Sequence, residues 1–342
     1  MEALIRLFTT VAPDFQVLWL ASKDLLTLNN PYLNTIIFTG VGYPPNSLLF
    51  YLPLTVFNYL VAQNIFTVLS ILALLFCIYI SFKILKIRNN LLMFFVVILS
   101  LLSFPTKFTL GMGQNNFIAL ALLLFSYLLC KERKLQYAGI FLGLVISLKT
   151  IFVYFLLFYI LKKQWKVITY AFLILLLSTL FVYLIRGNLD LYKFYLTDIL
   201  PPLFRFENRE IYMNQGLSGF ISRLFEDINI RKLLTSVISI ILVLYNCLVI
   251  FKNKNVDLVF SLTIITLLLI DSLAWQHHFV WSLFPFIVLV KYSKNILIRL
   301  LIFMACILIS LNLPSSNLLR DNVFMGTLIL YIINLKLLNK AI

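Results

Sequence analysis

The chain has 342 residues, of which 62% are hydrophobic and 12% are charged, and its mean hydropathy is +1.01. This composition excludes a soluble globular domain and predicts an all-α, polytopic integral membrane protein. Because one transmembrane helix needs about 20 apolar residues, we expect roughly ten to twelve membrane helices.

The formal net charge of +15 would suit a nucleic-acid-binding protein if the basic residues formed one soluble face. Instead they lie in short loops between apolar runs, as the positive-inside rule expects of cytoplasmic loops. These loop residues are Lys83, Lys86, Arg88, Lys131, Arg133, Lys134, Lys162, Lys163, Lys166, Lys252, Lys254, Lys291 and Lys294. We therefore predict membrane lipids as partners and no nucleic acid.

The N-terminal part of the chain contains the first predicted outer-face loop. Residues 1–12 are apolar but interrupted by Arg6, which predicts either the end of a first span or an interfacial helix. Residues 13–45 are polar enough to lie outside the hydrocarbon. Residues 46–61 are predicted as a juxtamembrane or re-entrant helix packed on protein, and 64–82 as a crossing toward the cytoplasm.

The following apolar runs alternate across the membrane. Residues 91–104 are predicted to run outward, 105–114 to form an outer loop and 115–130 to return. Residues 186–232 form the second predicted outer-face loop. The later predicted membrane segments are 167–185, 233–251, 256–273, 278–290, 296–312 and 322–338, with Lys336 and Lys340 on the cytoplasmic side. We expect a single membrane domain over residues 1–342.

A lysine interrupts the apolar run between two basic clusters. Residues 137–161 lie between these clusters, and Lys149 is near their middle. Because both clusters are expected on the cytoplasmic side, the run predicts a helical hairpin with Lys149 at its far tip. A lysine at the bilayer centre is disfavoured by about 2.5–3.5 kcal/mol on insertion scales, so such a residue usually marks a site.

Nearly all side chains that could take part in catalysis or substrate binding lie on the predicted outer side of the membrane. A transporter more typically places its polar groups near the midplane between repeats, so this one-sided set favours an active site at the outer face. The candidate site residues are Asp14, Tyr43, Gln114, Asn115, Lys149, Arg223, His277 and His278. We expect the carboxylate, the two cations and the histidines to converge on one cavity.

Two of these stretches allow both a structural and a functional interpretation. Asp14 is either the N-cap of a helix over 15–28 or a general base near the lipid surface. Gln114, Asn115 and Asn116 follow Gly-Met-Gly at the start of an apolar helix. They predict either a simple cap or a tight turn that binds an anion such as phosphate.

The cations and histidines have alternatives as well. Lys149 either contacts a phosphate or snorkels to the headgroups. Arg223 either binds a phosphate bidentately or pairs with Glu226 or Asp227. For His277 and His278, hydrogen bonding or phosphate binding is favoured over metal binding, since no Asp, Glu or Cys pattern supplies further ligands. Neither a metal nor a cofactor is predicted.

Several of these stretches together resemble glycosyltransferase family 87, the bacterial polyprenyl-phosphomannose-dependent mannosyltransferase-like proteins of the GT-C superfamily. In order, the matching pieces are Asp14-Phe15, Asn30-Pro31-Tyr32, Tyr43-Pro44-Pro45, Gly113-Gln114-Asn115, Ala138-Gly139, Gly143, Lys149, Lys162-Lys163-Gln164-Trp165, Asn214-Gln215, Arg223 and Trp275-Gln276-His277-His278. One departure is Thr150, which stands where many relatives have proline after the matched lysine.

The resemblance implies a GT-C fold and an inverting hexosyltransferase, with mannose as the expected sugar. A polyprenyl-phosphate sugar would be the donor and a lipid or glycan the acceptor, at the non-cytoplasmic face of the plasma (inner) membrane. Asp14 would deprotonate the acceptor hydroxyl. Lys149, Arg223 and His277 or His278 would neutralise the departing phosphate.

Two rival functions share a lipid-linked glycan. A flippase would use the one-sided polar cluster as a headgroup vestibule. An O-antigen ligase or polymerase would rely on a large outer loop with arginines, which 186–232 supplies with Arg205, Arg209 and Arg223.

Overall fold

The computed structural model of the protein describes residues 7–33, 41–314 and 319–339. Within these ranges the secondary structure is helical, without β-strands, and Asn214 and Trp275 form an isolated antiparallel bridge. The predicted all-α class is therefore confirmed. The predictions that involve Arg6, residues 34–40 and Lys340 lie outside the described residues.

The helices follow the apolar runs of the sequence. The longer ones are Pro13–Leu26, Tyr59–Leu85, Asn90–Leu102, Phe104–Met112, Asn116–Lys131, Leu135–Leu148, Trp165–Arg186, Ile228–Lys252, Val256–Ile270, Leu283–Tyr292, Ile296–Ser310 and Asn322–Asn339. Shorter helical segments are Pro45–Leu48, Leu52–Val56, Thr150–Tyr154, Phe155–Leu161, Asp190–Phe194, Tyr195–Ile199, Leu200–Leu203, Leu217–Leu224 and Gln276–Ser282. Both predicted outer-face loops thus contain short helices.

The protein is a polytopic membrane protein. Among the described residues, four helices are long and apolar enough to cross a membrane, and a bent helix pair is a fifth candidate span. The four are Tyr59–Leu85, Trp165–Arg186, Ile228–Lys252 and Asn322–Asn339. Five further apolar segments have 10–17 residues. The count of ten to twelve membrane helices requires that these shorter segments also enter the membrane, and it stays a prediction.

The bent pair corrects one detail of the sequence interpretation. Residues 105–114 are predicted as an outer loop, but most of them belong to the helix Phe104–Met112, bent by 62° from Asn90–Leu102. Pro105 lies in the first turn of the second helix, where the missing N–H is tolerated. The bend comes just before it, at Ser103, whose backbone is extended. The pair is a broken span or a re-entrant loop.

The chain divides into two compact units. The first comprises Met1–Phe76, Thr109–Val153 and Gln164–Arg205, and the second comprises Cys77–Phe108, Tyr154–Lys163 and Phe206–Ile342. The single membrane domain stays a prediction.

The core of the first unit is a closely packed helix layer. The helix Leu135–Leu148 packs against Asn116–Lys131 on one side and Trp165–Arg186 on the other. A Cβ atom added to Gly139 would lie 2.4 Å from the Val167 carbonyl oxygen. The spacing of Gly139 and Gly143 therefore serves close backbone approach, as small residues four apart do between membrane helices.

The second unit is built around one fully enclosed helix. In Val256–Ile270 every residue from 257 to 269 is buried. The helices that pack on it include Ile228–Lys252, Leu283–Tyr292 and Asn322–Asn339. A helix that is apolar on all sides has to be buried on all sides, either by protein or by lipid, and here protein supplies the cover.

Candidate functional site

Asp14 lies in the first turn of the helix Pro13–Leu26. The N-cap position of this helix is occupied by Ala12, so the interpretation of Asp14 as an N-cap is wrong. Its carboxylate instead accepts a hydrogen bond from Gln114, with 2.6 Å between Nε2 and Oδ2. No other described residue donates a side-chain hydrogen bond to this carboxylate. The second oxygen, Oδ1, is thus available to another partner.

Gly113 brings Gln114 to Asp14. Its backbone is left-handed, with φ of +70°, a conformation that side chains rarely adopt. A Cβ atom at this position would lie 2.5 Å from Cβ of Phe15 and 2.9 Å from Cβ of Ala12. Only glycine therefore allows the turn to approach the start of the Asp14 helix this closely.

Replacing Gly113 by Ala should destabilise the protein and displace Gln114 from Asp14. The left-handed conformation costs about 1–2 kcal/mol, and overpacking adds about 1–3 kcal/mol. The matched control is Gly187→Ala, because Gly187 has φ of +72° but nothing within 4 Å of the added Cβ. Thermal unfolding should show the larger loss for Gly113→Ala. Equal losses would contradict the close approach.

Each of the three consecutive amides has a specific partner. Gln114 donates to Asp14, and Asn115 donates to the Tyr51 hydroxyl over 3.2 Å. The third, Asn116, accepts a hydrogen bond from the Lys149 ammonium over 2.5 Å. Asn115 occupies the N-cap position of the helix that follows, yet its side chain makes no cap hydrogen bond. Capping therefore does not account for this set of amides.

Lys149 lies where the sequence predicts the tip of a hairpin. It ends the helix Leu135–Leu148 in an extended conformation, and the 3₁₀ helix Thr150–Tyr154 follows without a proline. The residue is only 7% exposed, and its ammonium lies 5.8 Å from the centre of the Tyr43 ring. Because the ammonium is buried beside Asn116, the snorkelling alternative is wrong.

The charges around Asp14 oppose the effect of its burial. Burial raises the pKa of the Asp14 carboxyl above its ordinary value, while the Gln114 hydrogen bond and the positive charge of Lys149 lower this pKa. Burial is the largest of these effects, and the net direction is upward. A carboxylate whose pKa is raised toward the working pH is suited to take up a proton as a general base.

Arg223, in the second unit, holds a loop together. It ends the helix Leu217–Leu224, and its Nε donates to Asp321 Oδ1 over 2.7 Å. Its Nη1 also donates to the Asn214 carbonyl over 2.9 Å. The predicted pairing with Glu226 or Asp227 is thus wrong, because the acid that pairs with Arg223 is Asp321. Phosphate binding by Arg223 stays a prediction.

Arg223→Ala and Asp321→Ala should each lower the free energy of unfolding by about 1.5–3 kcal/mol, because each leaves a charged partner without its hydrogen bond. The double variant should lose less than the sum, since the two residues act as one pair. Arg231→Ala is the control, because its salt bridge to a 44% exposed Glu210 should contribute at most about 1 kcal/mol. Weakened donor binding with unchanged stability would instead assign Arg223 to the phosphate.

The two histidines are buried in the second unit and differ in their partners. His278 Nδ1 lies 2.9 Å from Asp271 Oδ2, and its ring stacks on Trp281. His277 stacks on Trp275 and contacts Phe108. The His278–Asp271 pair fixes the ring orientation and presents Nδ1 to a carboxylate, as in sites where histidine transfers or stabilises charge. Within the described ranges no cluster of three metal-binding side chains occurs.

Gln276 belongs to the Trp275–His278 stretch singled out in the sequence, but it was not among the candidate site residues. This residue is fully buried, and neither polar atom of its amide has a hydrogen-bond partner among the described residues. A buried amide without partners is unfavourable by about 1–3 kcal/mol per group, so a hydroxyl-bearing ligand or a water that hydrogen-bonds this amide would bind favourably. Its place between Trp275 and the histidines was the only available signal.

The structure therefore gathers five of the eight predicted site residues in the first unit: Asp14, Tyr43, Gln114, Asn115 and Lys149. Arg223, His277 and His278 belong to the second unit. The convergence of all eight on one cavity stays a prediction.

Comparison with known proteins gives one match. Residues 41–273 match the family model described as Glycosyltransferase family 87. No curated protein and no solved structure matches the chain. The matched range includes Tyr43, Gln114 and Lys149, whereas Asp14 and the histidines lie outside it.

Proposed function

Since the chain belongs to glycosyltransferase family 87, it is a membrane glycosyltransferase, and we propose that it transfers a hexose from a polyprenyl-phosphate donor, with mannose as the expected sugar. The acceptor is a lipid or glycan at the outer face of the plasma membrane. Transfer inverts the anomeric configuration, and Asp14 is the general base. Family membership supports an enzyme over a flippase without catalytic activity.

The observation that carries this proposal is the Asp14–Gln114 contact. Gln114 lies within the range that matches the family, and its amide is 2.6 Å from the Asp14 carboxylate. This contact ties Asp14, which lies before the matched range, to the family's own residues. Lys149, also within the range, adds a positive charge whose field reaches the same carboxylate.

The proposed reaction is a single displacement. The acceptor oxygen attacks the anomeric carbon of the donor while Asp14 takes the hydroxyl proton. The new bond joins the acceptor oxygen to the sugar, and the bond from the sugar to the phosphate oxygen breaks. The polyprenyl phosphate leaves with the bonding electron pair. A base in this position contributes typically about 10²- to 10⁴-fold to the rate.

Lys149 is the proposed cation for the departing phosphate. Its ammonium is oriented by Asn116 and lies over the Tyr43 ring, so it is held in place before the donor arrives. A preorganised cation stabilises charge as it develops on the leaving group, with little reorganisation during reaction. Arg223, His277 and His278 remain further predicted phosphate ligands, and Asn115 a predicted substrate ligand.

Donor specificity tests the proposal. The purified protein, reconstituted in nanodiscs, is given radiolabelled polyprenyl-phosphate mannose or the corresponding nucleotide sugar, with a membrane extract as the source of acceptor. We expect label to pass into the lipid or glycan fraction from the polyprenyl donor alone. Polyprenyl-phosphate glucose, tested in parallel, examines the preference for mannose. Transfer from the nucleotide sugar only would contradict the proposal.

A further inference from the structure

We propose that Tyr43 and Gln114 are positioning residues that orient the Asp14 carboxylate, an inference that rests on the proposed function. The sequence predicts both as substrate-binding residues. Their contacts assign them to the base instead, because the Tyr43 hydroxyl bonds the Gln114 amide and the Gln114 amide bonds Asp14.

The Gln114 side chain is engaged at both ends of its amide. Nε2 donates to Asp14 Oδ2 over 2.6 Å, and Oε1 accepts a hydrogen bond from the Tyr43 hydroxyl over 3.1 Å. The residue is only 8% exposed. An amide that is buried and held at both ends is poorly placed to bind a sugar, but well placed to fix a neighbouring carboxylate.

The Tyr43 hydroxyl holds the far end of the Gln114 amide. An ionised carboxylate only accepts hydrogen bonds, so the N–H groups face Asp14 and the hydroxyl donates to Oε1 at the other end. Tyr43 is itself held from behind, because the Tyr32 hydroxyl donates to its carbonyl oxygen over 2.9 Å. The Tyr32 ring in turn stacks on Phe194. The position of the Asp14 carboxylate is thus supported by a series of contacts from Gln114 through Tyr43 to Tyr32.

This support has two consequences for Asp14. Gln114 occupies Oδ2, so Oδ1 is the oxygen that meets the acceptor hydroxyl. The N–H donor also stabilises the ionised carboxylate, which counters the effect of burial. The other titratable groups around Asp14 are the Lys149 ammonium, the Tyr51 hydroxyl and the Tyr59 hydroxyl, which bonds the Ala12 backbone. Of the described side chains, Gln114 is the one that donates a hydrogen bond to the carboxylate.

The pH profile of transfer separates positioning from substrate binding. In Gln114→Leu the carboxylate loses its donor, so its pKa rises. Activity, which needs the ionised form, should then be lost at higher pH than in the wild type. We expect the acid limb of kcat to move upward by about 1–2 pH units. Tyr43→Phe should move it in the same direction by less, since the amide is then free to rotate.

Gln16→Leu is the matched control, because it removes an amide from the same first turns of the Asp14 helix without a contact to the carboxylate. The acid limb of its kcat profile should lie at the same pH as in the wild type. The KM for donor should stay within about threefold in the Tyr43 and Gln114 variants. A raised KM with an unmoved acid limb would overturn the proposal and restore substrate binding.

A readout without turnover distinguishes this proposal from the proposed function. Infrared titration of the reconstituted protein follows the protonated carboxyl of Asp14, assigned by its loss in Asp14→Asn. The midpoint should rise in Gln114→Leu and stay constant in Gln16→Leu, whether or not the protein transfers sugar. An unchanged midpoint in Gln114→Leu and Tyr43→Phe would overturn the positioning role, even if transfer were demonstrated.

Discussion

Asp14→Asn should lower kcat by about 10²- to 10⁴-fold while leaving donor binding nearly unchanged. The amide keeps the size of the carboxylate and the contact region of Gln114, but it cannot take a proton from the acceptor. Binding of polyprenyl-phosphate mannose to the purified variant and its single-turnover rate measure the two effects separately. The substitution should therefore slow the transfer step and preserve donor binding.

Asp24→Asn is the control for this experiment. Asp24 lies in the same helix, Pro13–Leu26, ten residues farther along the chain. Its loss removes the same charge from the same element, and transfer should continue at the rate of the wild type. Full activity of Asp14→Asn would contradict the base assignment.

Lys149→Met should lower kcat/KM by about 10²- to 10³-fold, the size expected when one stabilising group is removed from a developing charge. The protein should nevertheless stay folded, because methionine fills a similar volume in a buried position without leaving an unpaired charge. Loss of the positive charge should also raise the pKa of Asp14, since Lys149 lowers it. The acid limb of activity should therefore move to higher pH.

Lys166→Met is the matched control, because Lys166 is exposed at the start of the helix Trp165–Arg186. It removes one positive charge from the chain but should leave donor affinity and turnover unchanged. If Lys149→Met lowered the stability of the protein but not donor binding or turnover, Lys149 would be a structural residue that positions Asn116. Donor titrations and thermal unfolding of both variants distinguish these outcomes.

Local patterns in the sequence predicted the helix break at Lys149 and the tight turn at Gly113, whereas the helical hairpin itself stays a prediction. A lone lysine between two basic clusters predicted a break at Lys149, and the helix ends there. Gly-Met-Gly before three amides predicted a tight turn, and Gly113 is left-handed. Both features depend on residues close together in sequence, where backbone preferences and charge placement act directly. Such preferences require no knowledge of the folded neighbourhood.

The partners of these residues could not be derived in the same way. Gln114 reaches Asp14 across 100 residues, and Arg223 reaches Asp321 across 98. No periodicity links such positions, because the packing of separate helices decides which side chains meet. The sequence therefore named the candidate site residues of the first unit but not the hydrogen bonds between them.

The Asp271–His278 contact shows a different reason for a missed partner. Asp271 lies six residues before His277, too far for one helical turn, so helical spacing does not predict a contact. The helix Val256–Ile270 ends just before Asp271, and the chain then turns through residues 272–275. Helical spacing does not apply to such a segment. The second of the two histidines thereby reaches the carboxylate, seven residues away.

The anomeric configuration of the product tests the central claim most directly. In the proposed displacement, Asp14 activates the acceptor and the sugar carbon is attacked once. Nuclear magnetic resonance of the product made by the reconstituted wild type from polyprenyl-phosphate mannose should therefore show the configuration opposite to that of the donor. Retention of the donor's configuration would contradict a single attack assisted by Asp14.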